Sequence, residues 1–173
     1  MDFEIIPKDR VGPVRLGMSQ FQIREALGVE GSSFRPTYHE GLWEDFPDLG
    51  LQICYNNITG ENCIAVILTH PANPVFQDRE LFSGESIEVL GEQLSSIDLH
   101  TEIICYEILS RELGIYIYAE EDDYGDDDNE YKVTYSVCSV TIFKEPYRRR
   151  CPFVARGGRA ADGGRAWRAR SRT

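Results

Sequence analysis

The chain has 173 residues, of which 42% are hydrophobic, and this composition suits one domain or two small units that share a packed core. The net charge of −11 is unevenly divided, because residues 1–147 carry nine Lys and Arg against 28 Asp and Glu, whereas residues 148–173 carry nine Arg and one Asp. The first segment therefore has a net charge of −19, which repels nucleic acid and anionic membranes and attracts basic proteins.

The five cysteines form no CxxC pair and stand at no zinc-site spacing from a histidine. Four of them fall in predicted strands, where a free Cys behaves as a small apolar residue, although a Cys54–Cys63 disulfide across a hairpin is conceivable. Residues 1–6 have no basic n-region, and no apolar run approaches the ~20 residues that span a bilayer. These features predict a reduced, cytoplasmic protein.

A short first helix is predicted after an extended lead-in over residues 1–18. Ser19 and Gln22 have the spacing of a capping box, Ile23 begins an apolar face, and Gly28 ends the helix. Strands are then predicted within 38–46 and over 49–55 and 63–69, followed by a linker over 70–80.

The second half repeats this plan at an offset of 64 residues. Ser83 follows Ser19 at that distance, and Leu113-Gly114 follows Leu49-Gly50. Strands are predicted over 103–108, 113–118 and 137–143, with Leu51, Ile53, Ile115 and Ile117 facing inward. The last strand needs an offset of 74, and the extra ten residues fall in an acidic stretch.

These elements predict an α+β fold made of two tandem helix-plus-three-strand antiparallel repeats, which form one sheet with the helices on one face. Residues 1–80 are expected to form the first repeat with its lead-in, and residues 81–147 the second repeat with an acidic hairpin loop at 120–130. Residues 148–173 are predicted to be a disordered basic tail. They read either as a nucleic-acid arm or as an out-of-frame extension, and the abrupt loss of Lys and acidic residues favours the extension.

The acidic loop is the first candidate site. Its carboxylates are hard oxygen ligands that suit Ca²⁺, but the order of an EF-hand fails because Asp127 stands where glycine is required. A solvated loop and a partner-contacting loop both remain open.

Exposed aromatic residues are the second candidate, because Tyr116 and Tyr118 alternate with inward-facing isoleucines. Tyrosines beside carboxylates make good interface anchors, although the rings could instead cover the open face of the sheet within the fold. The candidate partner-binding residues are Tyr116, Tyr118, Asp122, Asp123, Tyr124, Asp126, Asp127, Asp128, Glu130 and Trp43.

Catalytic patterns are missing from the sequence. It contains no glycine-rich phosphate loop, no GxSxG and no HExxH, and its three histidines have no evident nucleophile partner. We therefore expect no enzyme activity, no cofactor and no metal site.

Residues 16–28, LGMSQFQIREALG, resemble the motif that opens the SmpA/OmlA fold. The tandem pattern over 19–143 is similar to the β-lactamase inhibitor protein-like family, and this resemblance implies helix-plus-sheet repeats and a concave sheet that holds a partner. The chain departs from these families because it has no Pro after Gly28 and no lipoprotein Cys, so it looks closest to cytoplasmic bacterial immunity-type proteins.

The resemblance and the charge together lead us to expect a non-enzymatic acidic immunity protein that neutralises a basic toxin domain by occlusion. The alternatives are a nucleic-acid-mimicking regulator of a DNA-binding protein and a small ligand- or Ca²⁺-binding module.

Overall fold

The computed structural model describes residues 2–35, 41–56, 62–122 and 134–144, and within these ranges it has thirteen strands in two sheets and two α-helices. The strands are β1 (Asp2–Ile6), β2 (Arg10–Val11), β3 (Val14–Arg15), β4 (Ser32–Phe34), β5 (Trp43–Phe46), β6 (Leu51–Tyr55), β7 (Cys63–Leu68), β8 (Asn73–Phe76), β9 (Arg79–Glu80), β10 (Glu102–Ile104), β11 (Glu107–Ser110), β12 (Ile115–Asp122) and β13 (Thr134–Phe143). The helices are α1 (Gln20–Leu27) and α2 (Ile87–Ile97), and a 3₁₀ turn covers Pro47–Leu49.

The strands form a small and a large sheet. The small sheet has the order β3-β2-β1-β8-β9, and the large sheet has the order β10-β11-β12-β13-β7-β6-β5-β4. Strands β1 and β8 run parallel, with Phe3 opposite Pro74, and the other described pairings are antiparallel.

The expected α+β fold of two helix-plus-three-strand repeats in one sheet is wrong, because the described residues are mostly β, with thirteen strands in two sheets and only two α-helices. Each half of the large sheet has four strands, namely the three that the pattern predicts and one short edge strand, β4 or β10. The lead-in and the linker are not connectors, since they pair with each other through β1 and β8 and build a second sheet. This pairing gives both backbones hydrogen-bond partners and buries Phe3.

The helix boundaries follow their capping serines. Ser19 accepts a hydrogen bond from the Gln22 amide while the Gln22 side chain accepts one from the Ser19 amide, so the predicted capping box is confirmed. Helix α2 begins after Ser86 rather than Ser83, because Ser86 is the residue whose hydroxyl accepts from the first-turn amide of Val89.

One apolar core lies on the face of the large sheet that carries Leu51, Ile53, Ile115 and Ile117, here called the inner face. All four side chains are fully buried, as the alternation of the two strands predicts. Ile23 of α1 and the buried residues of α2 belong to the same cluster, as do apolar residues of the small sheet. The core therefore joins both sheets and both helices.

The two halves of the large sheet share their pairing registers. Trp43 stands opposite Cys54 in the first half as Glu107 stands opposite Tyr118 in the second, and an irregularity follows Cys54 and Tyr118 alike. Each half also enters its central strand through a left-handed glycine, Gly50 or Gly114, whose carbonyl accepts from the end of the partner strand.

Gly114 offers a direct test of this turn. Replacing it by Ala strains a backbone with φ of 66° and drives Cβ into the carbonyl oxygen of Phe143. We expect Gly114→Ala to lower the free energy of unfolding in urea by about 3 kcal/mol, of which the positive φ alone accounts for about 1–2 kcal/mol. The matched control is Gly84→Ala, because Gly84 has φ of 82° and open space around it. Equal losses in the two variants would contradict the steric argument.

A buried carboxylate fixes the end of α2 to the large sheet. Asp98 accepts hydrogen bonds from the Ser110 hydroxyl at 2.5 Å and from the amides of His100 and Glu112 at 2.9 and 3.3 Å. Burial opposes ionisation of Asp98, but these hydrogen bonds outweigh it and lower the pKa of the carboxyl below its ordinary value. The charged form is therefore the one that the fold stabilises.

Because the pKa of Asp98 is lowered in the folded chain, part of the free energy of unfolding depends on pH. An Asp in the unfolded chain titrates near about pH 3.9, so the stabilisation by Asp98 is complete above that pH and is lost as the pH falls through the lower folded pKa. We expect the difference in unfolding free energy between the wild type and Asp98→Asn to be constant above about pH 5 and to shrink as the pH falls below about pH 4. Urea unfolding at several pH values measures it, and a difference that stays constant would contradict the assignment.

Candidate partner-binding site

Three tyrosine rings meet at one end of the large sheet. Tyr106 stands in the two-residue turn between β10 and β11, and its ring centroid lies 5.6 Å from that of Tyr118 and 6.5 Å from that of Tyr135. The first pair meets edge to face and the second is stacked. The Ala119 amide donates to the Tyr106 carbonyl, which ties the turn to the irregularity in β12. These three rings, here called the tyrosine cluster, leave Tyr106 42% exposed.

Carboxylates border the tyrosine cluster. Glu107 lies directly across from Tyr118 in the β11–β12 pairing, and Glu120 follows two residues along β12. Burial raises the pKa of the Tyr118 phenol, and the negative charges of Glu120 and Glu107 raise it further. The phenol therefore stays protonated and keeps a hydrogen-bond donor beside half-buried carboxylates.

Two of the predicted site residues lie elsewhere. Trp43 and Tyr116 point to the face of the large sheet opposite the core, the outer face, where they join an apolar cluster with Ile67, Leu109 and Phe143. They are only 2% and 6% exposed, so they belong to packed structure here rather than to open surface. Tyr118 is half-buried and packs against this cluster as well as against Tyr106.

The acidic part of the predicted site lies outside the described residues. This holds for Asp123, Tyr124, Asp126, Asp127, Asp128 and Glu130. Asp122 is the last residue of β12, which is also the strand that carries Tyr118.

A second polar constellation is buried in the first half. Glu44, fully buried on the inner face of β5, accepts hydrogen bonds from Arg24 Nε at 2.5 Å and from the Tyr55 hydroxyl at 2.6 Å. Arg24 also pairs with the exposed Glu30 at 2.7 Å and reaches the Ser33 hydroxyl at 3.4 Å. The hydrogen bond to Glu44 raises the pKa of Arg24, and burial followed by the bond to Glu44 raises that of Tyr55. The Arg24 guanidinium thus stays charged beneath a groove of about 440 Å³ along α1.

The other half has apolar residues at the same places. Arg24 and Gly91 each stand five residues after a capping serine, while Glu44 and Ile108 each stand opposite an isoleucine of the next strand. The equivalent pairs are Arg24 and Gly91, Glu44 and Ile108, Tyr55 and Ala119, and Ser33 and Ile103. In the second half, Ile103 packs against Gly91 so closely that a Cβ there would lie 2.6 Å from Ile103 Cδ1. The same arrangement of strands and helix therefore holds a polar network in the first half and aliphatic packing in the second half.

Sequence reasoning missed this network, although a signal for it exists. At the 64-residue offset, Glu44 aligns with Ile108 and Tyr55 with Ala119, so two polar residues replace apolar ones at core positions. Helical spacing places Arg24 on the polar side of α1, and its partner Glu44 is 20 residues away in the sequence, so no local pattern indicates the pair.

No group of three or more metal-binding side chains occurs in the part of the chain that the structure describes. Among these residues, no helix is long and apolar enough to cross a membrane. No protein-family model, curated protein or solved structure matches the chain.

The contrast between the halves predicts how the network contributes to stability. Arg24→Ala leaves the buried Glu44 carboxylate without its cation, and we expect a loss of about 3 kcal/mol, at the low end for such pairs because the Arg24 side chain is 30% exposed. The triple variant Arg24→Met, Glu44→Ile, Tyr55→Phe replaces the network by aliphatic and aromatic packing like that of the other half. We expect its unfolding free energy in urea to lie within about 1 kcal/mol of the wild type. A triple variant as unstable as Arg24→Ala would show that this half requires the polar network.

Proposed function

We propose that this chain is a non-enzymatic binding protein that occludes a basic protein partner, in the manner of an immunity protein that neutralises a basic toxin domain. The observation that carries the proposal is the tyrosine cluster, with its exposed Tyr106 and with Glu107 and Glu120 beside it, on a segment with a net charge of −19. The partner would contact this end of the sheet and cover it.

The tyrosine cluster suits cationic side chains. A Tyr ring attracts a Lys or Arg group placed over its face, and neighbouring carboxylates add charge-assisted hydrogen bonds. Tyrosine also gives a large contact area with only two side-chain torsions to immobilise. Tyr106 is the exposed member of the cluster, and its contacts with Tyr118 and Tyr135 hold its ring in place before a partner arrives.

The charge of the whole segment supports fast capture. A field of this sign raises the association rate with a basic protein by roughly 10–10³-fold at low salt, and salt screens the effect. Occlusion of a toxin benefits from such a rate because the inhibitor must reach its target before the toxin acts.

The test immobilises the full chain and captures proteins from an extract of its source cells. We expect a basic protein to bind, and its measured association rate to fall roughly tenfold or more between about 20 mM and 500 mM salt. The triple variant Tyr106→Ala, Glu107→Gln, Glu120→Gln is expected to weaken this complex at least roughly thirtyfold, because it removes one anchor ring and two charges.

The matched control is Phe21→Ala, Glu88→Gln, Glu92→Gln, which removes an exposed aromatic ring and two exposed carboxylates from the helices. We expect it to retain affinity within roughly threefold of the wild type. A salt-independent association rate, or equal damage by both triple variants, would refute the proposed site. A captured partner that DNA displaces in competition would instead favour nucleic-acid mimicry.

A further inference from the structure

The outer edge of the second half is an open strand. No described strand pairs with the free side of β10, which is the last strand of the large sheet. Its Ile103 and Ile104 are 46% and 44% exposed. Edges of this kind are templates for pairing with another chain, and proteins commonly protect them with charges, proline or a covering element.

The opposite edge of the same sheet is built differently. Strand β4 carries the exposed Ser32 and Ser33, and the Ser33 hydroxyl accepts hydrogen bonds from the side chains of Gln20 and Arg24. That edge is polar and tied to α1. The exposed apolar side chains therefore distinguish the β10 edge from the β4 edge of the same sheet.

The two sides of β10 have different chemistry. Ile103 stands opposite Ile108 and packs against Gly91 of α2, so it belongs to the inner, apolar side. Glu102 and Ile104 alternate with it and lie on the outer side, where Ile104 stands opposite Glu107. An added strand would face an aliphatic surface with one set of alternate residues and carboxylates with the other.

We propose that β10 is the docking edge for an extended segment of the basic partner, which adds to the large sheet as a further strand. This inference rests on the proposed function and names the way in which the partner binds. Backbone hydrogen bonds to β10 supply affinity, and side-chain alternation supplies selectivity. The segment that fits alternates aliphatic residues, which pack beside Ile103, with Lys or Arg, which pair with Glu102 and Glu107.

The existing contacts allow this exchange. Glu102 pairs with Arg111 at 3.1 Å, and both side chains are about two-fifths exposed. Exposed ion pairs of this kind contribute little to stability, so a partner cation can replace Arg111 at low cost. Tyr106, at the end of β10, adds an exposed ring for a cation at the end of the added strand.

The experiment uses the full chain and two synthetic heptapeptides of identical composition. One alternates Lys and Val, and the other has four Lys followed by three Val. We expect the alternating peptide to bind at least roughly tenfold more tightly in fluorescence anisotropy. Only this peptide, as an extended strand, has all its Lys side chains on one face and all its Val side chains on the other. Equal affinities would show that charge alone drives binding, which overturns strand addition but leaves capture of a basic partner standing.

Two further comparisons test the backbone pairing and its place. N-methylation of either the Lys or the Val residues of the alternating peptide removes the amide donors along one edge or the other, so one methylated peptide should lose binding and the other keep it. Ile104→Lys should abolish binding, whereas Ser32→Lys, which adds the same charge to the opposite edge, should not. Equal loss from both methylated peptides, equal loss from both Lys variants, or no binding of the alternating peptide would each overturn docking at β10.

Discussion

The pairing of β7 with β13 is the contact on which the rest of the fold depends. Val66 stands opposite Ile142 and Leu68 opposite Val140, and all four side chains are fully buried. Without this central ladder, each half would be a four-stranded sheet with one helix and an exposed inner edge. With it, both inner faces become one continuous surface, against which the two helices and the small sheet bury a single core.

Because the centre is shared, the register of each half must agree with it. The left-handed glycines Gly50 and Gly114 start the two central strands in the same orientation, and their carbonyls accept hydrogen bonds from Thr69 and Phe143 at the ends of the partner strands. A shift of one residue in either strand would turn its buried side chains to the outer face. The turn therefore decides which side chains point into the core and which point to the outer face.

The sequence allowed prediction of what depends on local pattern. Period-two alternation identified Leu51, Ile53, Ile115 and Ile117 as inward, and the capping box located α1. It could not show that β1 pairs with β8, because nothing local encodes a contact across seventy residues. It also merged β10 and β11 into one strand, since the turn at Cys105 and Tyr106 uses neither Gly nor Pro. Alternation predicts that Tyr116 and Tyr118 point away from the core, and both lie on the outer face. It does not report the burial of Trp43 and Tyr116, which depends on tertiary packing.

An exposed apolar edge raises the question of why two copies of the chain would not pair through it. Antiparallel pairing of β10 with its own copy would bring Glu102 and Glu107 of one chain toward the same residues of the other, while the net charge of −19 on residues 1–147 of each copy also repels. With a basic segment, the local interaction with Glu102 and Glu107 and the long-range interaction of the net charges both become attractive. The apolar contact at Ile103 is unchanged. The same carboxylates would thus disfavour self-association and favour the proposed basic partner, which would make an open edge selective. Under this proposal, charge determines which segment binds, and the backbone of β10 supplies hydrogen bonds that any extended segment could accept or donate.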